Sequence, residues 1–121
     1  MTALETVALY YDAWQNKQGD LEGVPLADDF EFVGPVASFD TADGYRAMAA
    51  EAGRAVTSFS VRRQFADGKV VCSIIDWEMA FPGLGRMTSA ELLEVEDGMI
   101  VRGELIYDAE ALRHVMAQQA G

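Results

Sequence analysis

The sequence predicts an α+β domain whose helices and strands are segregated along the chain, with helices covering one face of a sheet that curls around them. Two observations carry this. The first 53 residues hold stretches with apolar spacings of three and four, whereas four later runs alternate every second residue and are rich in Val, Ile, Phe and Trp. Those runs are separated by ADGK, FPGLG and EDGM, two Asp-Gly hairpin signals flanking a Pro-Gly turn, so they form an antiparallel meander. At 121 residues the chain is expected to fold as one domain over 1–121 and to bury a core without staples.

Each element follows from local chemistry. Leu4, Val7, Ala8, Tyr11 and Trp14 draw one stripe along a first helix, which Thr2 and Glu5 open in capping-box form and Gly19 stops. Asp20 then caps a short helix through Leu21 to Leu26, limited by Pro25. FEFVGP, residues 30–35, reads as a strand closed by Gly34-Pro35. Asp40 or Thr41 caps a helix with the stripe Tyr45, Met48, Ala49 and Ala52, ending near Gly53. The meander strands are expected at 57–66, 69–80, 86–96 and 99–107, and Asp108 caps a last helix carrying Leu112, Val115 and Met116.

Composition excludes several functions. A net charge of −11, from 20 acidic and 9 basic residues, repels phosphate backbones, so no nucleic-acid partner is expected. The single cysteine, Cys72, forms no internal disulfide and fits a reducing compartment. The N-terminus has no basic region and no small-residue cleavage site after an apolar run, so no signal peptide is expected, and no apolar run approaches a membrane span. A cytoplasmic protein without membrane contact is the expectation. One histidine, one cysteine and no HxxxH or CxxC spacing leave no metal site, and no cofactor is implied. A phosphate-binding loop and a G-x-S-x-G elbow are likewise absent from the sequence.

What remains is carboxylate and phenol. In the second meander strand Ser73, Ile75, Trp77 and Met79 share an uncharged face, which goes inside; Cys72, Ile74, Asp76 and Glu78 face outward. By the same test Val101, Gly103, Leu105 and Tyr107 turn inward in the last strand. In MTSAELLEV, residues 87–95, each face carries a carboxylate. Glu94 and Glu96 share the wetter face, which turns Met87, Ser89 and Glu91 inward. An acid in an apolar pocket is raw material for proton transfer. His114, Arg62 and Arg63 are expected at or near the surface.

The order and spacing of YYDAW, GDL, LADDFEFVGPV and GY, then ADGKVV and AELLEVEDGMIVRGELIYD, resemble the NTF2-like superfamily, specifically its SnoaL-like and ketosteroid-isomerase-like bacterial members. The resemblance spans nearly the whole chain. It implies a cone of helices on a strongly curved antiparallel sheet with a deep apolar cavity at one end. It also implies dimerisation across the outer sheet face, for which Ile74, Leu92, Ile100 and Ile106 are the expected apolar residues. Tyr11 and Glu91 fall where the isomerases bind a developing enolate oxygen with a phenol and a neutral acid. The isomerases' general-base aspartate precedes a proline on the first strand, and here Gly34 precedes Pro35, so steroid isomerisation proper is not expected. The epoxide hydrolases' Arg and Asp pair would fall at Ser89 and Glu91, and their second Asp near Leu105.

These readings define a candidate site: Glu91 and Tyr11 as the chemical groups, with Trp14, Phe32, Ile75, Trp77, Met87, Ser89, Leu105 and Tyr107 as the wall against a small hydrophobic molecule. They imply a lyase, cyclase or isomerase acting by acid/base catalysis on an apolar carbonyl compound. Two alternatives stay open: a non-catalytic binder of a hydrophobic ligand, and a dimeric interaction domain whose cone is filled by its own side chains.

Overall fold

The computed structural model describes residues 1–120. Its elements run α1 (Ala3–Asn16), β1 (Leu26–Val33), β2 (Ser38–Phe39), α2 (Ala42–Gly53), β3 (Val56–Asp67), β4 (Val70–Met79), β5 (Met87–Glu96), β6 (Met99–Ile106) and α3 (Glu110–Ala120). The strands form one six-stranded sheet in the order β2-β1-β6-β5-β4-β3. The meander is antiparallel as expected, whereas β1 runs parallel to β6 at its other edge. Helix α1 lies across β3 to β6, and α2 packs on β1 and β2.

The turn chemistry fixes the meander register. Asp97 and Gly98 both have positive φ, 51° and 76°, the geometry of a tight hairpin that splices Glu96 to Met99. Gly68, at φ 60°, does the same between Asp67 and Val70.

Bulges bend the sheet around the helices. Arg62 is the extra residue between the pairs Val61–Ile75 and Arg63–Ile74. Val101 is the extra residue between Glu94–Arg102 and Val95–Ile100. The second bulge overturns part of the expected facing: Ile100 is fully buried in the core and Val101 only half so, because one inserted residue reverses the inside–outside phase on its far side. Ile100 therefore drops out of the outer apolar set.

Two further expectations are corrected. Residues 21–25 form turns and no helix. There the Arg46 guanidinium takes the carbonyls of both Leu21 and Val24, and the Glu22 amide bonds to Asp20 Oδ1, so the backbone is satisfied without helical hydrogen bonds. On α1 the buried residues are Thr6, Val7, Tyr10, Tyr11 and Ala13, while Leu4 and Ala8 lie in solvent. The buried stripe is thus rotated by about one residue from the expected one, and Tyr10 is its centre. Small Thr6 and Ala13 let the helix sit close to the sheet. The capping box at Thr2 and Glu5 forms as expected.

The core is aromatic where α1, α2 and the sheet meet. Phe30, Phe32 and Tyr45 pack ring against ring, with centroids 5.1 Å apart for Phe30–Tyr45 and 4.6 Å for Phe32–Tyr45. Gly103 on β6 makes room for them: a Cβ there would come within 3.3 Å of both Phe rings.

Candidate active site

Glu91 stands in the middle of β5, between Ser73 of β4 and Leu105 of β6. Its side chain points under α1 and is only 3% exposed. A carboxyl so placed must find hydrogen-bond partners or give up its charge. It finds two phenols from adjacent residues of α1. Tyr11 donates to Oε1 at 2.8 Å, and Tyr10 donates to Oε2 at 3.0 Å. The Tyr10 oxygen is joined in turn by a short hydrogen bond to the Tyr45 hydroxyl from α2.

Electrostatics follow from this burial. Loss of water pushes the Glu91 carboxyl up from 4.5 to about 7, against the two phenol hydrogen bonds that pull it down. Burial, and then the Glu91 charge beside them, hold all three tyrosines far above the ordinary phenol value, so they stay protonated as donors.

Glu91, Tyr10 and Tyr45 form the polar floor of a cavity of about 680 Å³. Its walls are apolar: Trp14, Phe32, Met48, Phe59, Ile75, Trp77 and Leu105 surround the interior. Tyr107, Leu112 and Met116 also line it, the last two from α3, together with Gly34 to Ala37 and the pair Glu51 and Arg54. Trp14 stacks on Phe59 at 5.9 Å, and Trp77 meets Tyr107 edge-on at 5.4 Å.

Of the residues expected at the site, Glu91, Trp14, Phe32, Ile75, Trp77, Leu105 and Tyr107 line this cavity. Three lie behind its surface. Tyr11 is absent from the lining and reaches the site through its hydrogen bond to Glu91. Ser89 faces inward but its hydroxyl accepts the Trp77 indole N–H at 2.7 Å. Met87 belongs to a separate small cluster with Leu84, Leu112 and Val115. The sequence reading missed Tyr10 and Tyr45 as site residues. Tyr10 was hidden by the rotated stripe, in which Thr6 and Ala13 do not look like core; Tyr45 read as ordinary packing on α2.

Other polar residues stay apart. Asp76 turns outward as expected yet is 6% exposed, because Arg62 reaches it with Nε at 3.0 Å, Thr88 donates at 2.7 Å and Arg86 lies at 3.3 Å. Those partners, Arg62 first, hold its carboxyl well below the ordinary range. His114 is exposed on α3 beside Gln118, at a shallow depression it shares with Arg86, Asp108 and Glu110. No group of His, Cys, Asp and Glu among the described residues is arranged to hold a metal ion. No helix among them is long and apolar enough to cross a membrane.

A curved sheet covered by helices is the fold this chain shares with NTF2-like solved structures. A family model for the SnoaL-like domain matches residues 7–103, and the chain belongs to that family. No curated protein matches it in sequence. Among solved structures, an NTF2-like protein of unknown function from Cytophaga hutchinsonii is 20% identical, with 93% of this chain and 96% of that one covered at a TM-score of 0.80. A steroid delta-isomerase from Pseudomonas aeruginosa is 22% identical over 98% of this chain and 90% of its own, TM-score 0.76. A candidate polyketide cyclase from Sinorhizobium meliloti is 19% identical over 88% of this chain and 100% of its own, TM-score 0.74. At these identities the likeness is one of fold.

Proposed function

We propose that this protein is a small-molecule acid/base enzyme, a lyase, cyclase or isomerase that acts on a hydrophobic carbonyl compound in the cavity. The observation that carries the reading is Glu91: a carboxyl with no cationic partner among the described residues, buried at the floor of an apolar cavity and gripped by two phenols. With its carboxyl raised to about 7, it is populated as both base and acid near neutrality, which suits a group that takes a proton and returns it. In the step we propose, Glu91 removes a proton from the carbon beside the carbonyl. The C–H electron pair moves into the enolate, and the new O–H of Glu91 delivers its proton to a second atom of the substrate, either carbon or a departing oxygen. Tyr10 and Tyr11 hold the carboxylate still while this happens. The names of the isomerase and cyclase neighbours are consistent with this class of chemistry.

Gly34 lines the cavity where the resembled isomerases carry their general base, so the substrate must bring its own acidity. The same residue favours a second reading, a non-catalytic binder of a hydrophobic ligand. Deuterium exchange separates the two. Solvent deuterium should enter the carbon beside the carbonyl of 2-tetralone at least about a hundredfold faster with the native protein than with Glu91→Gln. Equal rates would remove the catalytic reading and leave the binder.

We also propose a homodimer through the outer face of the sheet. Phe65 and Ile106 support it, being more than half exposed on the strands.

A further inference from the structure

The hydrogen atoms on the cavity floor can be counted. Tyr11 spends its hydroxyl hydrogen on Glu91 Oε1, and Tyr10 spends its own on Oε2. The Tyr10–Tyr45 bond must then take its hydrogen from Tyr45. All three phenol hydrogens are used inside the network. While Glu91 is ionised, this network of Glu91 and three tyrosines therefore has acceptors to offer a ligand and no donor. A ketone oxygen meets a buried negative charge there and must take its hydrogen from the wall, where the Trp14 indole and the Tyr107 hydroxyl are donors.

The groups facing Glu91 add no positive charge. Helix α1 presents Tyr10 and Tyr11, and α2 presents Tyr45; the adjoining residues of β4 and β6 are Ser73 and Leu105. Among the described residues, those of β1, β3 and α3 that line the cavity are uncharged, and the one cation on the wall, Arg54, is strongly exposed and paired with Glu51 at 3.7 Å. The aromatic side chains of Trp14, Phe59, Trp77 and Tyr107 line the same cavity. A desolvated carboxylate without a cation, beneath a ring of aromatic side chains, matches an organic cation: N–H donors for the carboxylate, and π faces for the charge that remains.

We infer that the cavity, with Glu91 ionised, takes a hydrophobic ammonium ion whose N–H groups face Glu91 and whose alkyl body lies among the aromatic rings. Ammonium binding uses the site of the proposed reaction but none of its chemistry. A single proton shifts the preference between the two ligand classes. Protonated Glu91 adds a donor that favours a carbonyl oxygen, whereas an ammonium ion needs the carboxylate.

Calorimetric titration with two probes of matched shape, cyclohexylmethylamine and cyclohexyl methyl ketone, at pH 8.5 and 5.5 tests this. With the Glu91 carboxyl at about 7, the ammonium probe should bind about thirtyfold more tightly at pH 8.5 than at pH 5.5. Glu91→Gln should abolish that dependence and weaken binding at pH 8.5 at least about tenfold. Tyr10→Phe checks the hydrogen count independently of the Gln variant's folding. It frees the Tyr45 hydrogen for the cavity, so the ketone's affinity at pH 8.5 should rise about fivefold or more. Ammonium affinity that is absent, equal at the two pH values, or retained in a folded Glu91→Gln protein overturns the inference, as does an unchanged ketone affinity in Tyr10→Phe. A bound ammonium probe with no ketone binding at pH 5.5 would sustain it while removing the carbonyl reading. Ketone binding without ammonium binding would do the reverse.

Discussion

The Tyr11 hydroxyl donates to Glu91 Oε1 over 2.8 Å, joining α1 to β5 across 80 residues of chain. Successive residues of a helix point about 100° apart. Tyr10 nevertheless reaches the other oxygen of the same carboxyl, so Glu91 is clasped between neighbours on one helical turn. The clasp fixes the orientation of the acid, and the burial that accompanies it sets the acid's proton affinity.

Glu91 should make the fold pH-dependent. Its carboxyl is raised in the folded state, so the native protein binds more protons than the unfolded chain between about 4.5 and 7, and stability falls as pH rises through that window. The raised value corresponds to on the order of 3 kcal/mol, absent below the window and fully felt above it. Glu91→Gln removes this slope. Urea unfolding from pH 4 to pH 8 should show native stability declining relative to the variant.

Asp76 should act in the opposite sense. Its carboxyl is held down by Arg62 and Thr88, so its contribution is present above the ordinary value of 3.8 and is lost as pH falls further. Asp76→Asn should lower the melting temperature at pH 7, leaving Arg62 and Arg86 without their partner. The difference from the native protein should shrink in thermal scans taken below pH 3.8.

Gly53 carries the junction between α2 and the end of the first helical segment. A Cβ at that position would lie 1.8 Å from the Gln18 carbonyl oxygen and 2.8 Å from Gly19 Cα, backbone atoms that cannot step aside singly. Gly53→Ala should cost about 3 kcal/mol in denaturant unfolding, although alanine is the better helix former.

The proposed homodimer should appear as a two-chain species in sedimentation at micromolar concentration. Ile106 is 52% exposed on β6, and Ile106→Glu should shift the protein to monomer without disturbing the cavity on the opposite face.

Much of this architecture was legible in the sequence because it rests on local chemistry. Asp97-Gly98 can hardly be anything but a tight turn, and Thr2 with Glu5 declares a helix start. The inward face of Glu91 was legible more narrowly, through Glu94 and Glu96 sharing the other side. What escaped depends on contacts distant in sequence. No local pattern reveals that Arg46 will satisfy the Leu21 and Val24 carbonyls and so replace a helix with turns. No alternation rule anticipates the extra residue at Val101 that turns Ile100 into the core. Tyr10 escaped because the face that α1 buries contains Thr6 and Ala13, residues that a hydrophobicity pattern passes over.

The central claim is that Glu91 is a desolvated acid poised to exchange protons inside the cavity. Side-chain carboxyl NMR titration, with Glu91→Gln to assign the signal, measures it directly. The structure leads to a midpoint near 7. A midpoint at or below the ordinary glutamate value of 4.5 would show a carboxylate that stays charged and solvated, and would contradict both the proposed chemistry and the proton-controlled choice of ligand.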